Sequence, residues 1–223
     1  MSELILIVGG MRSGKTRELT NFIDTAFWTE SKYKVFYPAI NSRDEEHFIC
    51  SRRGVKEKAI KTYTSSEIIH HVSEEDKFIF IDEFQFYDDN ITTIVRELLA
   101  MNKIVYCAGL DLDFAERPWV NTVELYPLAD KVIKLNSVCE ICKEPRGRRT
   151  LRLINNSPAG HDTPLILIEG FDNHIEHKTV CADCYRFSYL EKHDLSQRNN
   201  VNKTYKSVCE NTLLSTNHTV SSC

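Results

Sequence analysis

The chain alternates short apolar runs with segments whose apolar residues recur every three or four positions. Continuous apolar runs occupy residues 4–8, 78–81 and 104–110, as is typical of parallel strands buried on both faces, and residues 34–37 are a plausible further strand. Two segments between these runs have helical periodicity. Their apolar positions are Leu19, Phe22, Ile23, Ala26 and Phe27, and then Ile91, Ile94, Val95, Leu98 and Leu99. The order β-α-β-α-β predicts an α/β core with a mainly parallel sheet.

The pattern changes near Asn136. From there to about residue 185 the chain carries two CxxC pairs, many basic residues and a further apolar run between Gly160 and Gly170. After about Leu190 it turns to Asn, Ser, Thr and Lys with few large apolar residues, a composition typical of disorder. We therefore predict an α/β domain at 1–135, a small hairpin-rich domain that contains the cysteine pairs at 136–190, and a disordered polar tail at 191–223.

Composition narrows the class of protein. The 223 residues are 42% hydrophobic, enough for a core, and the formal net charge is -4 with both signs interspersed. That balance offers no general attraction for nucleic acid or an anionic membrane surface, so we expect neither as a partner. No stretch is long and apolar enough to span a membrane, and the N-terminus lacks the features of a secretory signal. We expect a cytoplasmic protein.

The first apolar run leads into a glycine-rich loop, GGMRSGKT, followed by the first helical segment. The loop matches G-x4-G-K-[ST], the phosphate-binding P-loop. Its residues are Gly9, Gly10, Met11, Arg12, Ser13, Gly14, Lys15 and Thr16. Backbone N–H groups would converge on phosphate oxygens, Lys15 would reach the β- and γ-phosphates, and Thr16 would hold Mg²⁺. Strand, loop and helix in this order disfavour a chance glycine-rich turn and predict an ATP site.

An acidic pair ends the third apolar run, in the stretch FIFIDEFQF. Asp82 follows the strand directly and has the place of a second magnesium anchor. Glu83 comes next, where a carboxylate could accept the proton from an attacking hydroxyl or water. Acidic residues at strand ends are often merely solvated, but the P-loop favours the functional interpretation.

Four of the eight cysteines form two CxxC pairs. Cys139 and Cys142 lie in CEIC, and Cys181 and Cys184 in CADC, with 38 residues between the pairs. A single CxxC could be a redox pair, but two of them favour one tetrahedral Zn²⁺ held by four thiolates. Such a site has no open coordination position, so its role would be structural.

These motifs together resemble the type II thymidine kinases, small P-loop enzymes with a zinc-bound lasso. The resemblance covers residues 3 to about 187 in one order: P-loop, PAIxxR, DExQF, GLDxxF, CxxC, a glycine-bounded lasso and CxxC. It implies ATP-dependent phosphorylation of the 5′-hydroxyl of thymidine, or of a closely related pyrimidine deoxynucleoside, in nucleotide salvage. It also implies a homotetramer.

The resemblance assigns roles to individual positions. Asp82 and Gln85 would belong to the nucleotide and magnesium site, Arg43 would lie near the phosphates, and Glu83 would be the catalytic base. Phe114 would stack on the base. The other positions of the nucleoside pocket would be Met11, Phe86, Leu110 and Trp119, and those of the lasso Ile168, Glu169, Gly170, Phe171, Asp172 and His177. From the residues alone, Phe114 and Trp119 could equally be core side chains.

Three positions depart from the family pattern. Asn41 stands where an aspartate is usual, which would remove a charge near the magnesium. Phe84 replaces a small residue and is expected to crowd the active site. His177 replaces a tyrosine near the base, where a smaller polar ring would change the pocket, unless it is a solvated loop residue. These departures widen the expected substrate from thymidine to pyrimidine deoxynucleosides.

Two other classes of protein fit parts of the sequence. DEFQ also resembles a helicase Walker B motif, which would suit a nucleic-acid-dependent ATPase, although the chain is short for paired motor domains. Residues 139–160 carry five Lys or Arg against two Glu, so a zinc-ribbon binding module is a further alternative. Basic residues in a metal hairpin are more often a solvated face.

Overall fold

The structure is a computed structural model that describes residues 1–40, 48–50, 56–167 and 174–193. Of the predicted disordered tail at 191–223, residues 191–193 instead end a helix, and residues 194–223 lie outside the described residues. Within the described ranges, no helix combines the length and apolar character needed to cross a membrane.

A six-stranded parallel sheet forms the centre of the molecule. In chain order its strands are β1 (Glu3–Gly9), β2 (Tyr33–Pro38), β5 (Ile60–Thr62), β6 (Phe78–Ile81), β7 (Ile104–Gly109) and β8 (Lys131–Leu135). The spatial order is β5-β2-β6-β7-β1-β8. The chain between β2 and β5 adds a separate antiparallel pair, β3 (Phe48–Cys50) and β4 (Lys56–Lys58). The α/β class with a mainly parallel sheet is confirmed.

Both faces of the sheet are covered, which explains the continuous apolar runs. Along β1, Leu4, Leu6 and Val8 face one apolar cluster, whereas Ile5 and Ile7 face the other. Because successive side chains of a strand point to opposite faces, a strand in the middle of a two-sided sheet must be apolar throughout.

Four helices cover these two faces. They are α1 (Lys15–Trp28), α2 (Glu67–His71), α3 (Ile91–Ala100) and α4 (Val120–Leu125), and a fifth helix, α5 (Ala182–His193), packs elsewhere, on the smaller unit described below. Helix α1 packs on the face of Ile5 and Ile7, and α3 packs on the opposite face. The predicted apolar stripe of α1 is wrong at Phe27, which is 61% exposed in the last turn of the helix.

A smaller unit follows β8. Its antiparallel sheet contains β9 (Arg149–Ile154), β10 (Ser157–Pro158) and β11 (Ile175–Val180) in the order β10-β9-β11, with α5 after it. Cys139, Cys181, Leu151, Val180 and Tyr185 form its buried apolar cluster. The domain boundaries at 135/136 and 190/191 stay predictions.

Candidate functional site

The glycine-rich loop joins the end of β1 to the start of α1, where N–H groups at the helix N-terminus are free to bind an anion. Gly14 precedes the helix with φ 90°, a left-handed backbone that residues with a Cβ rarely adopt. Lys15 is buried, and its Nζ donates to the carbonyl of Gly10 at 3.0 Å. The loop therefore encloses a positive charge, as a phosphate site requires.

Asp82 leaves β6 and meets the loop across the intervening strand β7. Thr16 Oγ1 donates to Asp82 Oδ2 at 2.9 Å, so the two predicted magnesium ligands are adjacent. Burial, and next the charge of Glu83, raise the pKa of Asp82 to about 7 against the opposing effects of Thr16 and Lys15. A buried carboxylate with this penalty is a good ligand for a divalent cation, because the cation would stabilise its charged form.

Glu83 is held by a neighbouring amide. Its backbone is left-handed at φ 48°, and Gln85 Nε2 donates to Glu83 Oε2 at 2.7 Å. The other end of the Gln85 amide accepts from the backbone N–H of Leu110 at 3.0 Å. A Cβ on Gly109 would lie 2.4 Å from Gln85 Oε1 and 2.7 Å from the Phe84 ring, so only glycine fits there. Gln85 thus connects the acidic pair to the loop after β7.

The predicted aromatic residues of the pocket lie in two groups. The rings of Phe86 and Trp119 meet edge to face, with centroids 5.4 Å apart. Phe114 is only 2% exposed, and its carbonyl accepts from the hydroxyl of Tyr185 at 2.6 Å. The guanidinium carbon of Arg152 lies 3.7 Å from the centroid of the Phe114 ring. The Phe114 ring is therefore buried, with the guanidinium of Arg152 against it and that of Arg117 at 5.9 Å from its centroid.

Arg152 organises the surroundings of His177. Its Nε donates to His177 Nε2 at 3.0 Å, and its two terminal nitrogens donate to the carbonyls of Pro164 and Leu165. Burial lowers the pKa of Arg152 to about 10. Because the Nε of arginine can only donate, His177 Nε2 accepts, which indicates the neutral tautomer with its proton on Nδ1. His177 lies in β11 and is 5% exposed, so the alternative of a solvated loop residue is wrong.

The four cysteines of the CxxC pairs converge. Their sulfurs all lie within 4.8 Å of one another, and Cys142 Sγ is 3.8 Å from Cys181 Sγ. Four thiolates about 2.3 Å from a tetrahedral Zn²⁺ would be about 3.8 Å apart, so the cluster fits this ion.

The acidities of these thiols also favour a cation. Burial opposes ionisation of Cys139, but the backbone N–H groups directed at its sulfur outweigh burial and lower its pKa to about 7. Burial and the other sulfurs raise the pKa of Cys184. Four like charges cannot coexist at this spacing without a metal ion to neutralise them.

Some predicted residues lie elsewhere than expected. Phe84 is fully buried in the apolar core with Leu4 and Ile81, so the expectation that it crowds the active site is wrong. Its larger ring is accommodated by core packing against Gly109. Met11 and Arg12 contact the smaller unit through Thr179 and Glu140. Arg43, Asn41 and the lasso residues 168–172 lie outside the described residues.

Sequence analysis did not single out Arg152, Thr179 or Glu140. Each acts through a contact between segments that are distant in the chain, to Phe114, Met11 and Arg12 respectively. The only sequence signal was the proximity of Glu140 and Thr179 to the cysteines, which does not specify a partner.

The fold and the loop define an α/β protein of the P-loop type with a four-cysteine cluster suited to zinc. A family model described as thymidine kinase matches residues 2–185, and the chain belongs to the thymidine kinase family. The family is one of kinases, and its name implies a small nucleoside as the substrate.

Proposed function

We propose that this chain transfers the γ-phosphoryl group of ATP to the 5′-hydroxyl of thymidine or of a closely related pyrimidine deoxynucleoside. The observation that supports this most is the pairing of Thr16 with a buried Asp82, beside a carboxylate, Glu83, that Gln85 holds in place. Family membership supplies the class of reaction.

Each part of the phosphate site has a role in this proposal. The loop amides and Lys15 bind the phosphates, and Lys15 offsets negative charge that develops during transfer. Thr16 and ionised Asp82 hold Mg²⁺, which neutralises phosphate charge when it is bound. Arg43, which lies outside the described residues, would bind near the phosphates in this proposal. This arrangement binds and orients the nucleotide without a covalent intermediate on the protein.

Glu83 accepts the proton of the nucleoside 5′-hydroxyl. The hydrogen bond from Gln85 Nε2 restricts its rotation, which favours one orientation of the carboxylate. The same bond leaves the second carboxylate oxygen, Oε1, for the hydroxyl. A base that is already oriented loses less entropy when the substrate arrives.

The nucleoside pocket combines Leu110, Phe86 and Trp119 with the group formed by Phe114, Arg152 and His177. His177 presents a neutral imidazole where the family pattern has a tyrosine, and Arg152 fixes that ring. Lasso residues 168–172 complete the pocket in this proposal. The polar pair of Arg152 and His177 is the reason that we propose pyrimidine deoxynucleosides as a class.

Zinc has a structural role in this proposal. Cys139, Cys142, Cys181 and Cys184 would fill its four tetrahedral positions, which leaves none for a substrate. By tying together the ends of residues 143–180, the ion would limit the freedom of the lasso. A cytoplasmic location and a homotetramer remain predictions within the same proposal.

The test is to incubate the protein with ATP, Mg²⁺ and a panel of pyrimidine and purine nucleosides and to identify products by mass spectrometry. We expect a 5′-monophosphate from thymidine or a related pyrimidine deoxynucleoside. The matched control is Asp89→Asn, which removes an exposed carboxylate a few residues from Glu83 and should leave the yield unchanged. Absence of product from every pyrimidine nucleoside, together with DNA-stimulated ATP hydrolysis, would favour the nucleic-acid-dependent ATPase instead.

A further inference from the structure

The tip of the phosphate-binding loop is held by the cysteine-bearing unit. Thr179 Oγ1 donates to the carbonyl of Met11 at 2.8 Å, and the Thr179 side chain is fully buried. Next to it, the guanidinium of Arg12 forms an ion pair with Glu140, with each side chain about 30% exposed. Two consecutive residues of the loop are therefore bound by residues more than a hundred positions away in the chain.

Thr179 and Glu140 are bound to each other as well as to the loop. Thr179 N donates to Glu140 Oε1 at 2.7 Å, and Glu140 N donates to the carbonyl of Thr179 at 2.8 Å. Glu140 lies between Cys139 and Cys142, and Thr179 lies two residues before Cys181. Because each CxxC segment contributes one of the two residues, a cluster that fixes the cysteines also fixes this pair.

The contacts occur where the loop most needs support. Arg12 has φ 59°, a left-handed backbone that residues other than glycine rarely adopt. Such a conformation persists only when the surroundings hold it. The Met11 carbonyl and the Arg12 side chain are held on either side of the bond between these two residues, so both contacts resist relaxation of the loop. A loop kept in its binding conformation loses less entropy when phosphate binds.

We propose that Thr179 and Glu140 are positioning residues for the phosphate-binding loop, so that the four-cysteine unit sets the affinity for the nucleotide. This inference rests on the proposed function, because it assumes that the loop binds ATP. Neither residue contacts the phosphates. Thr179 acts through the Met11 carbonyl, and Glu140 acts through Arg12.

The sharpest test is Thr179→Val, which removes the hydroxyl with little change in shape and no change in charge. The dissociation constant of Mg²⁺·ATP is measured by isothermal titration calorimetry without nucleoside, in protein of verified zinc content. Since the partly buried Met11 carbonyl loses its donor, we expect affinity to fall roughly fivefold. Thr179→Ser keeps the hydroxyl and should bind within about twofold of the native chain. If Thr179 only stabilised the fold, Thr179→Val would lower thermal stability, but the ATP affinities of the Val and Ser variants would not differ.

Glu140→Gln provides a second test, which stands even if Thr179→Val fails to fold. The amide oxygen of the new side chain could still accept from Thr179 N, but the ion pair with Arg12 would be lost, and we expect Mg²⁺·ATP affinity to fall about threefold. Glu144→Gln removes an exposed carboxylate from the same turn and should have no effect.

Unchanged affinity in folded, zinc-loaded Thr179→Val would overturn the role of Thr179. Unchanged or higher affinity in Glu140→Gln would overturn that of Glu140. If the native chain itself bound no Mg²⁺·ATP, the proposed function would fail instead.

Discussion

The raised pKa of Asp82 predicts that nucleotide binding depends on pH. Burial raises its pKa to about 7, and we propose that its ionised form holds Mg²⁺. With a pKa of about 7, roughly one tenth of the carboxylate is ionised at pH 6 and roughly nine tenths at pH 8. When only a fraction of the protein is competent to bind, the apparent affinity falls in proportion to that fraction. We therefore expect Mg²⁺·ATP affinity to rise about tenfold between these pH values.

The assay is a series of calorimetric titrations with Mg²⁺·ATP between pH 6 and pH 8, on the native chain and on Asp82→Asn. The variant is the essential control, because the terminal phosphate also titrates near pH 6 and contributes equally to both series. The excess pH dependence of the native chain measures the ionisation of Asp82. Parallel curves for the two proteins would refute the assignment of Asp82 as a titrating magnesium ligand.

The same raised pKa has a consequence for folding. Between about pH 4 and 7, folded Asp82 keeps a proton that the unfolded chain has lost, so its contribution to stability decreases as the pH rises through this window. Without nucleotide and Mg²⁺, Asp82→Asn should therefore resist urea better than the native chain at pH 8, and this advantage should shrink toward pH 5. An equal difference in stability between the two proteins at both pH values would contradict a buried carboxyl group with a raised pKa.

Four further predictions follow from the geometry. Glu83→Gln should lower turnover by roughly 10² or more in steady-state assays while the dissociation constant of ATP stays nearly unchanged, and retained activity would exclude Glu83 as the base. In Arg152→Lys the new side chain cannot bind two carbonyls while also stacking on the Phe114 ring, so the KM for the nucleoside should rise about tenfold with ATP affinity unchanged. The control Arg149→Lys should have little effect. An equal rise in KM in both variants would contradict a role of Arg152 in the pocket. Gly109→Ala should lower the free energy of unfolding in urea by about 1–3 kcal/mol, and a neutral result would contradict the tight packing at this position. Chelation should release one zinc ion per chain and lower the midpoint temperature of thermal unfolding. Adding Co²⁺ should restore that midpoint and give the visible absorption of a tetrahedral thiolate site. Unchanged stability of the metal-free protein would contradict a structural zinc.

The central strands were predictable from the sequence because the sheet is buried on both faces. Strand β6 (Phe78–Ile81) is apolar throughout and was found with its observed bounds. Strand β8 (Lys131–Leu135) was missed, because it lies at the sheet edge and its exposed lysines interrupt the apolar pattern. Strand β5 (Ile60–Thr62) is also at an edge and has only three residues. Edge strands are only partly buried, so their sequences show a weaker apolar pattern than those of the central strands.

The candidate site was predictable where a motif encodes its own geometry. A P-loop specifies its strand, turn and helix locally, and two CxxC turns specify four sulfurs directed at one point. The pairing of Thr16 with Asp82 follows from where parallel strands end. The contacts of Arg152 with Phe114 depend instead on how the smaller unit packs on the sheet. Such packing is decided by the whole fold, and no local pattern records it.

Two of the departures from the family pattern also depend on how the whole chain packs. Phe84 is next to a catalytic candidate in the sequence, yet it begins a 3-10 turn after β6 and its side chain packs in the apolar core with Leu4 and Ile81. His177 was expected either near the base or in solvent, and it is buried in a strand against Arg152. Chain proximity to a motif was therefore a poor guide at Phe84, and at His177 the structure excludes only the solvated alternative.

The most direct measurement of the proposed function follows the label from ATP marked on its γ-phosphorus in a single turnover with Mg²⁺ and thymidine. Transfer predicts that the label appears on the 5′-oxygen of the nucleoside at the rate at which ADP forms, with little inorganic phosphate released. Label found only in inorganic phosphate, or ADP formation that does not depend on any nucleoside, would contradict the claim that this chain is a nucleoside kinase.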